Sequence, residues 1–572
     1  MKLLRLILMA TVLMAAYIAV LAVAVIPYGW VVALGLALGM ARKKKPKLSA
    51  HGTSRYAITA DMPHMLDAPE GSGVILGHTE EKIGKREGVK ALFSRRLPAK
   101  QAVRRFLASC QRKKSRHLVQ LTKAVHIAGF APTGVGKTSS LVLPHLLTCP
   151  DSMAIVDFKG ELVRETAAAR QRMGHRVAVL DPFNVVGGKD TFNPLDWIDK
   201  DSRTALDDCR DLAAAMVLRT GEDKDAHWSD SAELWITAMI AMVLAHGEDG
   251  KKSFQTVRRI LTKPDAMQDA MRVMCESEAW EGMLARYGNQ LTHYKDKELG
   301  STITTTNRHL KFLDTLAIAD STKRSSFNPS ELLSGKMTIY LVLPPEHQRA
   351  QSSLLRLWIG SLLRAVIKGG LQDQRKVRFI LDEAASLGHM EQLDDAVDKF
   401  RGYGIRLLFL YQSLGQLKVC WPKGQEQTLL SNVTQVFFGV NDPETAEYVS
   451  KRLGQETILV ESGGSSSGRS TQHSQQGSNF SYSSNTNYNW AQHGRSLLQP
   501  SEVIALPERL AITFTPGVPP IATWLARHYE NDFRADQGIR LWKAIFDTAC
   551  LFISVTILAA LITAALVDLI TK

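Results

Sequence analysis

Apolar positions in this chain fall into three kinds of run. Seven short ones, at 125–130, 153–157, 177–180, 337–342, 377–381, 405–410 and 435–440, are rich in β-branched residues and alternate with helical patterns. Runs of that length bounded by turn signals predict buried strands, and the alternation predicts a mostly parallel, doubly wound α/β sheet. Residues 198–330 lack such runs and carry helical patterns, as at 231–243, which predicts an inserted all-α domain. The third kind is long. Positions 6–41 form 36 residues without a charge, enough for two short membrane spans of about 17 residues each, with Pro27, Tyr28 and Gly29 as the turn. Lys2 and Arg5 before the run and Arg42 to Lys45 after it put both ends in the cytoplasm. A cleaved signal peptide processed near Ala24 is the competing reading. A further 19 uncharged residues at 549–567 read either as a third span or as an apolar helix against a partner.

Two of the expected strands end in residues that handle nucleotides. After 125–130 comes Ala131-Pro-Thr-Gly-Val-Gly-Lys-Thr138, a P-loop with alanine in place of the leading glycine, followed by a helical stretch. In that setting Thr133, Gly134, Val135, Gly136, Lys137, Thr138 and Ser139 bring backbone N–H groups and a helix N-terminus against phosphate. Lys137 reaches the β- and γ-phosphates and Thr138 holds Mg²⁺. The strand at 377–381 runs into Asp382 and Glu383. Alone, such a pair marks a turn or a helix start. Beside a P-loop it delivers Asp382 to the metal and Glu383 to the attacking water. ATP and Mg²⁺ are the expected cofactors. Lys137 and Asp382 stand 245 positions apart, more than a sheet needs to connect them, which again implies the insert at 198–330.

Length and composition add limits. With 572 residues and 45% hydrophobic content the chain has room for two or three domains, and its six scattered cysteines form neither a disulfide framework nor a zinc pattern. The net charge of +14 is uneven: positions 82–123 hold fourteen Lys and Arg against Glu87 alone, and 42–47 hold five more. Such stretches suit anionic lipid, nucleic acid or solvent. Residues 462–494 are dominated by Ser, Gly, Asn and Gln, which predicts a flexible loop; its aromatics offer stacking surfaces for single-stranded bases.

Taken in order, the motifs resemble those of the coupling-protein ATPases of type IV secretion and conjugation systems, the TraG/TraD/TrwB family. Besides the P-loop they are His51 to Ala57 (an HGxARxA-like box), Ile155 to Glu161 (DxKGE), Phe192 to Leu195 (FNPL), Leu381 to Gly388 (LDEFxxLG with Ala384 in place of the aromatic), Tyr411 to Gln416 (QSxxQ), and Asn441 to Ala446 with Ser450 (NDxxTAxxxS). The resemblance covers roughly residues 1–510. It implies a hexameric RecA-like P-loop NTPase of the inner membrane, its ATPase part in the cytoplasm, that passes a relaxase and its single-stranded DNA to the secretion channel. It also implies that Arg401 is an arginine finger acting on a neighbouring subunit, with Arg406 as the competing surface arginine, and that Gln412 senses the γ-phosphate or orients water, with a plain strand-end hydrogen bond as the competing reading. Asp157, Lys159 and Glu161 either line the site or form a salt-bridged strand end. The expected organisation is an anchor at 1–47, the NTPase domain at 48–197 and 331–461, the insert at 198–330, the loop at 462–494, a tail packing on the NTPase domain at 495–548 and the third span at 549–567. A receptor for protein effectors alone and an ATP-binding assembly adaptor are the alternative functions; a chromosome-segregation translocase of the FtsK type is a weaker one, since the HGxARxA-like box and the helical insert point elsewhere. The C-terminal span and the length of the basic segment depart from the family pattern.

Overall fold

The computed structural model describes residues 2–25, 50–69, 71–82, 85–94, 114–219, 226–372, 374–474 and 477–530, with positions 102, 103, 106 and 109 between them. Its strands are β1 (Val74–Lys82), β2 (Lys114–Leu121), β3 (His126–Phe130), β4 (Ser152–Asp157), β5 (Arg176–Leu180), β6 (Met337–Val342), β7 (Val377–Leu381), β8 (Ile405–Tyr411), β9 (Val433–Phe437), β10 (Gln455–Ser474), β11 (Gly477–Ser496), β12 (Leu510–Phe514) and β13 (Ile521–Trp524). Eleven of them form one sheet in the order β2-β1-β13-β12-β9-β3-β8-β7-β4-β6-β5. From β9 to β5 every neighbouring pair is parallel, and β12, β13, β1 and β2 extend that sheet antiparallel. Each of the seven expected strands has a counterpart in the parallel part. The last is displaced toward the N-terminus, ending at Phe437, because Gly439 takes φ +58° to turn beneath Val135.

The β-branched runs are continuous because both faces are covered, as in other parallel sheets. Successive residues of β4 enter different cores: Met153 and Ile155 pack with Leu141, Leu146 and Leu162 of the helices after the P-loop and after β4. Ala154 and Val156 share a core with Leu355, Trp358 and Leu362 of helix Ser352–Lys368.

Residues 198–330 are helical and, among the described residues, contain no strand. The 21-residue helix Ala226–His246 lies at their centre. Trp235, Ile236, Met239 and Ile240 are wholly buried there, so this helix is apolar on more than one face. The insert shares its core with the sheet. Helix Ala205–Met216 is fastened to helix Ser352–Lys368 by Asp208, which accepts from Arg364 and from Lys368 Nζ at 2.5 Å, and by Arg356 Nε donating to Ala215 O at 3.0 Å.

The tract at 462–494 is not a loop. β10 and β11 pair residue for residue from Gln455↔Ser496 to Ser474↔Gly477 as a two-stranded ribbon. Poverty in apolar residues, the basis of the loop expectation, does not bar this, since a proline-free hairpin satisfies its own backbone across the ladder. The base of the ribbon is clamped by the His51 box: Ser54 N donates to Gln455 O at 3.1 Å, His51 Nε2 bonds Gln492 O at 3.0 Å, and a Cβ on Gly52 would stand 2.4 Å from Gln455 O.

The membrane expectations fare differently. Among the described residues no helix is long and apolar enough to cross a membrane, so the two-span anchor is not found there. Lys2–Val25 is one helix whose Leu8, Met9 and Val12 pack on Leu92, Val103 and Phe106, and whose Arg5 Nε donates to Leu92 O at 2.7 Å. Residues 26–49, most of 95–113 and 549–567 lie outside the described residues.

Candidate nucleotide site

The site is assembled where β3, β8 and β7 end side by side. Phe130 closes β3 with its ring stacked on Phe437 at 4.8 Å and on Tyr411 at 5.8 Å, and Ala131 N donates to Tyr411 O at 3.1 Å. Ala131 is buried and packs in the core, so alanine fits where the motif carries glycine. The loop then turns through Gly134 at φ +89° and Gly136 at φ +93°, conformations that L side chains rarely adopt. Val135 points its side chain into the core, leaving only its backbone to the loop. A π turn, Thr138–Val142, opens the helix that follows.

Lys137 folds back over the loop, donating from Nζ to Ala131 O at 2.6 Å and Pro132 O at 3.2 Å. Burial pushes its pKa down, opposed by the Asp382 and Glu383 carboxylates. Across the cleft Thr138 Oγ1 stands 3.5 Å from Asp382 Oδ2. Burial, and then repulsion from Glu383, push the Asp382 carboxyl up to about 6. Glu383 holds a left-handed backbone, φ +53° and ψ +54°, a strained state for a residue with a side chain and one that clusters at functional sites. Together these groups line a cleft of about 230 Å³. Hard oxygen donors from Thr138 and Asp382 suit Mg²⁺ better than a softer metal, and the amide-rich loop suits phosphate.

Asp157, Lys159 and Glu161 border the same cleft. The Asp157 carboxylate accepts from Lys159 N at 3.2 Å and Val163 N at 3.0 Å, which ties the end of β4 to the first turn of helix Glu161–Arg172. Among the described residues no ion pair joins the three. Gln412 follows β8, the strand between β3 and β7, and so stands between the P-loop and the carboxylates. Its backbone N is held by Gln416 Oε1 at 2.9 Å. The rest of that motif is structural: Leu414 N donates to Thr445 Oγ1 at 3.2 Å, and Asp442 caps helix Pro443–Leu453 through Thr445 N at 2.8 Å. Arg401 is not brought into the cleft. It is exposed in the turn before β8, at the opposite edge of the sheet, and at about 3.3 Å per residue the strand separates it from Gln412 by roughly 20 Å.

Sequence reading missed the segment after β13. Arg527 lies against the P-loop, its guanidinium carbon 3.4 Å from where a Cβ on Gly136 would stand, and His528 Nδ1 is 3.4 Å from Ser139 O. No motif marks these residues, and only the antiparallel return of β12 and β13 brings them to the loop.

With this geometry in place, comparison with known proteins is informative. The conjugal transfer protein TraG of Rhizobium radiobacter is 28% identical over 421 residues, 72% of this chain and 63% of its own length. The type IV secretion system-coupling protein VirD4 of Bartonella quintana is 29% identical over 420 residues, 71% of this chain and 63% of its own. The matched region thus spans less than two thirds of these relatives. Plasmid coupling protein TrwB in complex with the ATP analogue ADPNP superimposes with a TM-score of 0.53 at 18% identity, covering 72% of this chain and 87% of that one. The same protein solved with ADP and Mg²⁺ gives 0.51 at 16% identity, covering 70% and 85%. These structures share the fold. Residues 90–545 match the family model described as type IV secretory system conjugative DNA transfer, and the chain belongs to that family.

Proposed function

We propose that this chain is an ATP-hydrolysing coupling protein that assembles as a hexameric ring at the inner membrane, receives a relaxase bound to single-stranded DNA, and drives the DNA toward a type IV secretion channel. The observation that carries the reading is the meeting of Lys137 and Thr138 with Asp382 and Glu383 in one cleft, Thr138 Oγ1 and Asp382 Oδ2 being 3.5 Å apart. Membership of the conjugative DNA transfer family and the nucleotide complexes of TrwB support it. The uncharged N-terminal run supports the membrane location.

In this reading the loop amides and Lys137 hold the β- and γ-phosphates of ATP. Thr138 and Asp382 hold Mg²⁺, which supplies neutralisation of phosphate charge. Glu383 accepts the proton of the attacking water, its backbone fixing the carboxylate at the cleft. Gln412 orients that water or reads the γ-phosphate. Arg401, exposed at the far edge of the sheet, serves the cleft of the next subunit, which makes hydrolysis depend on the ring.

Steady-state ATP hydrolysis by the full chain in detergent, with and without single-stranded DNA at two salt concentrations, tests the proposal. Wild type is expected to be stimulated by DNA more strongly at low salt, and Lys137→Ala to lose hydrolysis by at least about a hundredfold. Rings mixed from Lys137→Ala and Arg401→Ala subunits should recover part of the activity that each lacks alone. Absence of recovery would remove the trans role of Arg401, and Lys137-dependent hydrolysis indifferent to DNA would replace the DNA cargo with protein.

A further inference from the structure

We propose that His528 and Tyr529 form the platform for the nucleobase of the bound nucleotide, giving the phosphate cleft an aromatic second half built by the end of the antiparallel sheet extension. The proposal rests on the reading of that cleft as an ATP site. The groups placed to meet a terminal phosphate, Lys137, Asp382 and Glu383, lie toward β8 and β7. The loop's other flank, past Ser139 on the side of β9, β12 and β13, is the one we assign to the base. On that side the His528 ring stands with Nδ1 3.4 Å from Ser139 O, and the Tyr529 ring lies edge-on to it, 5.2 Å between centroids.

Tyr529 is 59% exposed, so packing does not account for its position. Its position is nonetheless well determined. Arg527 Nη1 donates to the Tyr529 hydroxyl at 2.9 Å, and Arg527 Nη2 reaches Val135 O at 3.5 Å. Glu530 is held by Arg509 through two bonds of 2.9 and 2.6 Å, and Glu530 N donates to Arg527 O at 3.0 Å. The cost is visible in Arg527 Nε, buried without a hydrogen-bond partner among the described residues. An aromatic face held rigid beside a phosphate cradle stacks on a flat heterocycle with little further loss of entropy. The ligand class is a nucleoside triphosphate, gripped at its phosphates by the loop and at its base by the platform.

Isothermal titration of the full chain with ATP and with inorganic tripolyphosphate, both with Mg²⁺, separates base from phosphate. Tyr529→Ala is expected to weaken ATP about tenfold and to leave tripolyphosphate within about twofold, while Tyr529→Trp restores ATP affinity. Unchanged ATP affinity in Tyr529→Ala would overturn the platform. So would parallel weakening of both ligands, which would mean that the turn merely props the P-loop. A folded wild-type chain that binds neither ligand would sink the nucleotide reading of the cleft, and the platform with it.

Discussion

At the carboxyl end of β8, Gln412 stands between the P-loop and the Asp382–Glu383 pair; at its amino end, Arg401 and Arg406 stand near Asp151, Arg378, Arg170 and the buried His126. The amino-end charges are largely satisfied from within. Arg378 Nε pairs with Asp151 Oδ2 at 2.7 Å, Arg170 donates to Asp151 O at 2.5 Å and to Thr338 Oγ1 at 3.0 Å, and Arg406 bonds the carbonyls of Arg401 and Ile405. At the carboxyl end two carboxylates crowd one another, and Lys137, bonded to two loop carbonyls, has the Asp382 and Glu383 carboxylates acting on it across the cleft. Charge that pairs internally holds the sheet edges in place, whereas charge held against like charge in a cleft is completed by a ligand. Arg401 is the exception at the amino end, exposed in the turn before β8.

The sharpest way to break this contrast is at Glu383, where the largest effect is expected. Glu383→Gln keeps the shape and the left-handed turn while removing the proton acceptor. Its kcat should fall by about a thousandfold, while ATP affinity stays within about threefold, since the loop and Lys137 are untouched. Single-turnover hydrolysis alongside equilibrium ATP binding reads both quantities. Hydrolysis within tenfold of wild type would pass the role of base to another group and leave the strained backbone of Glu383 without a catalytic reason.

Much of the carboxyl edge was legible in the sequence because its signals are local. The P-loop follows directly on β3, and the acidic pair follows directly on β7. The strand order was not legible: that β8 threads between β3 and β7, and so ends with Gln412 between the P-loop strand and the carboxylate strand, depends on pairings between residues far apart in the chain. A motif singles out Gln412, whereas no motif marks Arg527 and His528, which lie against the P-loop. The ribbon was misread because composition reports whether a segment can bury a core, and a hairpin clamped at its base by Gly52 and Ser54 has less need of one. The all-helical character of 198–330 was legible from its periodicity. Its fusion to the sheet core through Asp208, Arg356 and Arg364 was not, because polar cross-links between distant helices leave no periodic trace.

An intermediate effect is expected at the amino edge, on stability rather than on chemistry. Arg378 and Asp151 form a pair that is mostly shielded, with side chains 12% and 24% exposed. Arg378→Leu strands the Asp151 carboxylate and should cost about 3 kcal/mol. ATP affinity at the opposite edge should be unchanged. Adding Asp151→Leu should recover part of the loss, because it removes the carboxylate that Arg378→Leu leaves without its ion pair. Chemical denaturation of the three variants checks this. A loss below about 1 kcal/mol in the single variant would mean that this edge does not depend on its internal pairs.

The smallest expected effect is a slope with pH. His126 opens β3 at the amino edge, accepts from Leu407 N at Nδ1 over 3.2 Å, and has its Nε2 buried without a hydrogen-bond partner among the described residues. Burial, reinforced by the Arg406 and Arg401 guanidiniums, lowers its pKa from 6.5 to about 3. In the unfolded chain the imidazole takes a proton near its ordinary value, whereas in the folded chain it resists until about pH 3. Its contribution to stability is therefore complete above about pH 6.5 and is lost as pH falls through the interval below, by at most about 1.4 kcal/mol per pH unit. His126→Asn keeps an acceptor for Leu407 N and removes the titration. The difference between wild-type and variant unfolding free energies should accordingly tilt between pH 6.5 and 4.5 and stay level between pH 7 and 8. A difference that is flat across the whole range would show that the amino edge already admits enough water to hydrate a charged His126, and the distinction between a closed edge and an open one would then rest on the ion pairs alone.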